Sequence, residues 1–297
     1  MILNIYGRKT INKTKPEYQF NYIFIGDRQK PIVFWLHGFM GNCDDFMSAI
    51  EYLPDYCCLV VDLPGHGRTE VAEDNNYQMP QVAQALIKLL NQLKIEQCIL
   101  VGYSMGGRIA LYLACYFPEY FRGVVLESAS PGLPTLSERK RRIAKDLQLA
   151  RRLTSEDFHD FLQDWYLNPL FDSFREHSCY DSAIERRLNN DPCKLAKSLL
   201  QMGLGKQPNL TVKIRRLKLP LLLIVGELDL KFIETNRQIA RSCSSATLSI
   251  VDRSGHNVHL EEPVKFSQLL QSFFIRLLVT AEPNHLLSIN KRVKKSL

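Results

Sequence analysis

Cys98-Ile99-Leu100-Val101-Gly102-Tyr103-Ser104-Met105-Gly106-Gly107-Arg108 reads as a strand that stops at a serine and turns straight into a helix. Cys98 to Val101 suits a buried strand, and Met105 to Phe117 reads as the helix that follows. A serine on so tight a turn needs glycine two residues to either side, here Gly102 and Gly106, because neighbouring chain passes too close for a side chain. Chance supplies only about 0.05 G-x-S-x-G sites in a chain of this composition. With its strand and helix context, the pattern marks Ser104 as a reactive hydroxyl rather than an ordinary helix cap.

On either side of this stretch, short apolar runs alternate with amphipathic segments, the arrangement of a mostly parallel twisted sheet flanked by helices. The expected strands are Leu3 to Tyr6, Asn21 to Ile25, Ile32 to Leu36, Cys57 to Val61, Cys98 to Val101, Gly123 to Glu127, Leu221 to Val225 and Thr247 to Val251. No helix fits between the first two, so they are expected to pair antiparallel at an edge. From Leu133 to Arg216 no run reads as a strand, and helical segments rich in Arg and Lys follow one another. The chain thus divides into an α/β core at 1–132 and 217–280, a helical lid at 133–216 inserted between two sheet strands, and a polar, basic tail at 281–297. An amphipathic helix near Glu261 to Leu278 closes the core.

A serine hydroxyl reacts poorly unless a histidine takes its proton and an acid orients that histidine. On a strand-turn-helix serine these partners follow in the order serine, acid, histidine. His256, in Ser254-Gly255-His256-Asn257, follows the last strand and so falls at the carboxyl edge of the sheet. Asp229, in Gly226-Glu227-Leu228-Asp229, follows the neighbouring strand and lies farther out on its loop than Glu227. Glu127, Glu227 and Asp252 are the rival acids, and His259 the rival histidine. Charge developing on an oxygen needs preorganised N–H donors, which the backbone amides of Phe39 and Met105 are positioned to supply. His37 reads as a loop-holding residue, as does His66 in the turn Asp62-Leu63-Pro64-Gly65-His66-Gly67.

The chain has 297 residues, 45% hydrophobic and 23% charged, which excludes a disordered or fibrous protein. No apolar run approaches the roughly 18 residues of a membrane span. The stretch before Arg8-Lys9 is too short for a signal peptide and has its charges on the wrong side, so a cytoplasmic protein is expected. Eight cysteines without a C-x-x-C pair indicate reduced thiols, with no metal site and no cofactor implied.

Lys and Arg number 38 against 31 Asp and Glu, a net +7, and their location decides what the excess means. Arg108 lies four residues beyond Ser104, on the same helical face. Ser137 to Arg152 carries seven Lys and Arg against two acids; most of these read as a solvated face, but inward members would meet a substrate. Converging arginines suit a small-molecule polycarboxylate. Nucleic-acid binding finds no interleaved aromatics or motif to support it. A binding-only protein would have no need to keep serine, acid and histidine together.

Tyr103 to Arg108, Glu127 through Pro131-Gly132-Leu133, Asp164-Trp165-Tyr166 with Pro169 and Phe171, Gly203 through Gln207-Pro208, Gly226 to Asp229 with Lys231-Phe232, and Gly255-His256-Asn257 resemble one family. It is the 2-succinyl-6-hydroxy-2,4-cyclohexadiene-1-carboxylate synthases of menaquinone and phylloquinone biosynthesis, within the α/β-hydrolase fold. The resemblance covers residues 1 to about 278, the inserted segment included. It implies a carbon–oxygen lyase that eliminates pyruvate from 2-succinyl-5-enolpyruvyl-6-hydroxy-3-cyclohexene-1-carboxylate, a substrate with three carboxylates. It further implies that Ser104, with His256 and Asp229, acts as a general base. Substrate-binding roles fall to Tyr103, Arg108, Arg142, Trp165, Tyr166 and Arg187, the last with Arg186 adjacent. One departure is Glu127-Ser128-Ala129-Ser130, where the family pattern has glycine after the glutamate. The alternative reading is a serine hydrolase, an esterase or carbon–carbon bond hydrolase, for an acidic substrate.

Overall fold

Nine strands lie within residues 17–281, the part of the chain that the computed structural model describes. They are β1 (Tyr18–Gln19), β2 (Tyr22–Ile25), β3 (Ile32–Leu36), β4 (Cys57–Val61), β5 (Glu70–Val71), β6 (Cys98–Tyr103), β7 (Phe121–Glu127), β8 (Leu221–Gly226) and β9 (Ala246–Val251). Seven form one sheet in the order β2-β4-β3-β6-β7-β8-β9. All neighbours in it run parallel except β2, which pairs antiparallel with β4 at the edge. The expected strand Leu3 to Tyr6 lies outside the described residues, and the antiparallel partner of β2 is β4. β1 and β5, too short to read from the sequence, make a separate two-stranded antiparallel pair.

Alternation along each strand divides the core between the two faces of the sheet. From β3, Phe34 and Leu36 join Leu59, Leu100, Val124 and Leu223 on one face, beneath the helices Met79–Gln92 and Met105–Tyr116. Val33 and Trp35 join Val60, Val101 and Ile224 on the other, against Phe46, Phe266 and Phe274. Burial on both faces explains why these strands read as continuous apolar runs. The closing helix is Pro263–Ala281, the one expected near Glu261 to Leu278, preceded by a separate turn of helix, Val258–Glu261, that the sequence reading did not include.

Between β7 and β8 the described chain is helical: Leu136–Ser155, Phe158–Tyr166, Asp172–Arg175, Tyr180–Leu188, Pro192–Met202 and Thr211–Ile214 are its α-helices. Its first long helix starts at a capping box, in which Thr135 Oγ1 accepts from the Glu138 amide and Glu138 answers at the Thr135 amide. Asp157, Asn168 and Asp191 cap later starts in the same way. On the cationic helix Leu136–Ser155 only Asp146, Ala150 and Leu153 are buried, so most of its charge is a solvated face. The insertion has its own apolar cluster, with Phe161, Leu162, Tyr166, Phe174, Leu195 and Leu199; Met40 and Leu260 reach into it from outside the insertion.

Candidate active site

Ser104 sits at the turn between β6 and the helix Met105–Tyr116 with φ 47° and ψ −104°. Such a conformation costs a non-glycine residue about 1–3 kcal/mol and persists only where the surroundings enforce it. A Cβ on Gly102 would lie 2.6 Å from the Gly106 carbonyl oxygen, and one on Gly106 would collide with the carbonyl of Leu36. The two glycines therefore let the helix start directly against β3. That contact aims the serine out of the carboxyl edge.

His256 follows β9 and Asp229 follows β8, so adjacent parallel strands deliver both to the same edge. His256 Nε2 lies 3.0 Å from Ser104 Oγ, and His256 Nδ1 lies 2.7 Å from Asp229 Oδ2. His256 and Asp229 are buried, 2% and 4% exposed, so solvent hardly screens the pair. The rival acids lie elsewhere. Asp252 is paired with Lys265 at the surface, Glu227 accepts from the Arg253 amide, and Glu127 holds His259 Nδ1 at 2.9 Å. This second histidine–carboxylate pair is fully buried, and His259 Nε2 has no hydrogen-bond partner among the described residues. Tyr103 packs between the two imidazoles and donates its hydroxyl to Asn257 Oδ1.

Phe39 and Met105 both line the cavity above Ser104. The Met105 amide belongs to the first turn of its helix, where N–H groups lack intrahelical acceptors. His37 Nδ1 donates to the Gly38 carbonyl at 2.7 Å while Nε2 accepts from the Leu63 amide at 2.9 Å, so this ring ties two loops together. His66 makes one contact of the same kind, to the Pro64 carbonyl. Burial pushes both imidazoles below their ordinary range, His66 the more strongly.

The cavity has a volume of about 760 Å³ and lies between the sheet edge and the helical insertion. Arg108, Arg142, Lys145, Arg152, Arg187 and Lys231 line it, against the carboxylates of Asp164 and Asp229. Arg152 is engaged by Glu156 and Asp164. Arg142 gives its Nε to Asp146 at 2.7 Å. Arg108 donates only to neutral groups, the Met202 carbonyl at 2.8 Å and Gln207 Oε1 at 3.2 Å. Burial, and after it repulsion from Arg142, pushes the Arg108 guanidinium down to about 10. A charge so placed is short of an anion. Trp165 and Tyr166 complete the wall, with the Trp165 ring 5.6 Å from that of Phe39.

A family model described as the alpha/beta hydrolase fold matches residues 31–263. The 2-succinyl-6-hydroxy-2,4-cyclohexadiene-1-carboxylate synthase of Serratia proteamaculans is 33% identical over 252 residues, 84% of this chain and 95% of that one. The synthase of the same name from Escherichia coli O1:K1 is 34% identical over 233 residues, 78% of this chain and 89% of that one. The chain belongs to this synthase family. The solved structure of MenH from S. aureus superimposes with a TM-score of 0.82 at 29% identity, covering 89% of this chain and all 100% of that one.

Against the synthase pattern, Arg187 proves the most altered by its surroundings. It is 2% exposed, and its Nη1 meets Asp45 Oδ1 at 2.5 Å while Nε donates to the Tyr166 hydroxyl at 3.3 Å. Burial opposes charge on both partners, yet their attraction prevails. The Asp45 carboxyl is held below its usual range and the Arg187 guanidinium above its own. Arg187 lines the cavity, whereas Arg186 is partly exposed with Nε 3.8 Å from Asp45. Asp45 went unnoticed in the sequence because Asn42-Cys43-Asp44-Asp45 reads as a polar turn, and its partner is 142 residues away. Asn257 and Gln207 lay inside quoted motifs but carried no separate signal. Among the described residues one trio, Asp157, His159 and Asp160, could approach a metal ion; it is exposed, away from the cavity, and serves as a helix cap.

Ser128 has φ 48°, the left-handed region where glycine carries no penalty and other residues are disfavoured by about 1–2 kcal/mol.

Proposed function

We propose that this protein eliminates pyruvate from 2-succinyl-5-enolpyruvyl-6-hydroxy-3-cyclohexene-1-carboxylate to form 2-succinyl-6-hydroxy-2,4-cyclohexadiene-1-carboxylate. The observation that carries the reading is Ser104, hydrogen-bonded to His256, opening onto a cavity where Arg108, Lys145 and Lys231 form no salt bridge among the described residues, Asp146 acting on Arg108 only through space while it binds Arg142. A substrate with three carboxylates matches that surplus of positive charge. That charge would also suit a hydrolase of an acidic substrate; the synthase relatives favour the lyase.

In this mechanism Ser104 Oγ takes the proton α to the succinyl ketone as His256 accepts the serine proton at Nε2. Asp229, 2.7 Å from Nδ1, fixes the ring's orientation and stabilises the imidazolium. Negative charge on the ketone oxygen is met by the amides of Phe39 and Met105. The electrons then form the new ring double bond as the carbon–oxygen bond to the enolpyruvyl group breaks, its electron pair leaving with the enolate of pyruvate, which becomes pyruvate on taking a proton while His256 returns to its neutral form. Arg108 and Arg142 hold carboxylates of the substrate, with Arg187 closing the wall beside Tyr166, and Tyr103 and Trp165 shape the ring's seat. Residues 133–216 act as the lid over a core of 1–132 and 217–280.

No helix among the described residues is long and apolar enough to cross a membrane. All eight cysteines are unpaired thiols, five of them buried, which supports a reducing, cytoplasmic setting; the synthase relatives support a place in menaquinone or phylloquinone synthesis.

The test is pyruvate release from the enolpyruvyl substrate by the purified protein. Replacing Ser104→Ala is expected to lower kcat by about 10²- to 10⁴-fold. Unchanged turnover in the variant would overturn the general-base role. An acyl-enzyme trapped on Ser104 by a simple ester, with faster turnover of that ester than of the enolpyruvyl compound, would favour the hydrolase.

A further inference from the structure

Ser128 joins three observations at one residue. Its backbone is in the left-handed region, its side chain is fully buried, and its Oγ has no hydrogen-bond partner among the described protein groups. It also lines the cavity with Ser104 and Arg108. Position leaves the residue little freedom to escape this. The Ser128 amide donates to the Ile224 carbonyl of β8 at 3.0 Å, and the preceding carbonyl, of Glu127, accepts from the Ser104 amide at 2.8 Å. The segment is therefore pinned between the serine turn and the acid's strand.

Glycine at this position would remove both the backbone strain and the orphaned hydroxyl. Serine keeps both. A buried hydroxyl without a partner is unfavourable unless something in the cavity meets it, and strained residues gather where ligands are held. The nearby wall ties this segment to the arginine. The Ser130 carbonyl accepts from Gln207 Nε2 at 3.0 Å, and Gln207 Oε1 accepts from Arg108 Nη1 at 3.2 Å.

We propose that Ser128 Oγ donates a hydrogen bond to an oxygen of the substrate bound at Arg108, making Ser128 a specificity-determining residue of this site. The inference rests on the synthase reading. A guanidinium and a hydroxyl lining one cavity both offer donors, so the matching group is a carboxylate or a ketone oxygen.

Two variants test it, because they separate the hydroxyl from the strain. Ser128→Gly removes both, and Ser128→Ala removes the hydroxyl alone. In both, KM for the enolpyruvyl substrate is expected to rise about tenfold, the size of one lost hydrogen bond, with kcat within about twofold of the wild type. Without ligand, Ser128→Gly should melt no lower than the wild type, while the thermal shift produced by saturating cyclohexadiene product should shrink in both variants. An unchanged KM and product shift in two folded variants would overturn the role of Ser128 and leave the synthase reading intact. A wild type that releases no pyruvate would overturn the synthase reading and the inference with it.

Discussion

The carboxyl edge of the sheet and the helical insertion above it build one cavity by different physical means. At the edge, Ser104, Asp229 and His256 follow β6, β8 and β9 of one parallel sheet, whose shared carboxyl edge brings them within 3.0 Å of their partners. The insertion has no sheet to align it. It relies on its own apolar cluster, on caps at helix starts, and on a few polar ties to the body: Arg187 to Asp45, Asn190 to the Met40 carbonyl and the Gly67 amide, and Lys194 to Glu70. Proton transfer is thus assigned to the sheet edge, while recognition of charge is shared between Arg108 of the core and Arg142 of the insertion. Such a division lets the substrate vary while the relay stays fixed.

The sharpest way to break this comparison is at Asp229. Asp229→Asn keeps the shape but removes the charge that orients His256, and kcat is expected to fall by about 10²- to 10⁴-fold with the melting temperature little changed. A fall of less than about tenfold would show that the edge does not act as a relay. Next in size is the tie between the two regions. Asp45→Ala leaves Arg187 as an unpaired buried charge, expected to cost about 3–5 kcal/mol in urea unfolding. A cost below about 1 kcal/mol would mean that the insertion is held without this pair.

Charge reversal addresses the insertion's side. Arg142→Glu is expected to raise KM for the tricarboxylate by about 10- to 100-fold, the range for a lost hydrogen bond to a charged group, and to spare any turnover of a neutral ester. Equal losses on both substrates would place Arg142 in the fold rather than in recognition. The smallest effect concerns the loops behind the edge. His37 and His66 are held neutral by burial, so the unfolded chain binds protons there that the folded one refuses. Their stabilising contribution is full above about pH 6.5 and is lost as pH falls below it, by up to about 1.4 kcal/mol per pH unit for each ring. Measured between pH 7 and pH 5, stability should fall less steeply in His66→Gln than in the wild type; identical slopes would contradict a neutral His66.

Much of the edge was legible in the sequence. Gly102-Tyr103-Ser104-Met105-Gly106 announces its own backbone, because only glycine tolerates the approach of β3 and the following helix turn. Asp229 and His256 could be nominated because each follows a strand, and parallel strands present their carboxyl ends together. Arg108 was legible for a similar reason, one helical turn from Ser104. The insertion was legible as helices but not as an arrangement. Nothing local marks Asp45 as the partner of Arg187, or distinguishes that buried cation from the exposed ones beside it.

By itself, then, the chain determined the seven strands of the main sheet, which serine stands on the tight turn, and the order of acid and histidine after it. Those are properties of short-range sterics and of hydrophobic period, both written within a few residues of each other. Only the tertiary structure decided that Glu127 belongs to His259, that Arg187 is answered by Asp45 while Arg108 hydrogen-bonds neutral groups, and that the Ser128 hydroxyl is buried in the cavity wall without a partner among the described protein groups. Each of these depends on which distant groups share a buried space. Electrostatic and hydrogen-bond energies are set by that sharing, and no local pattern encodes it.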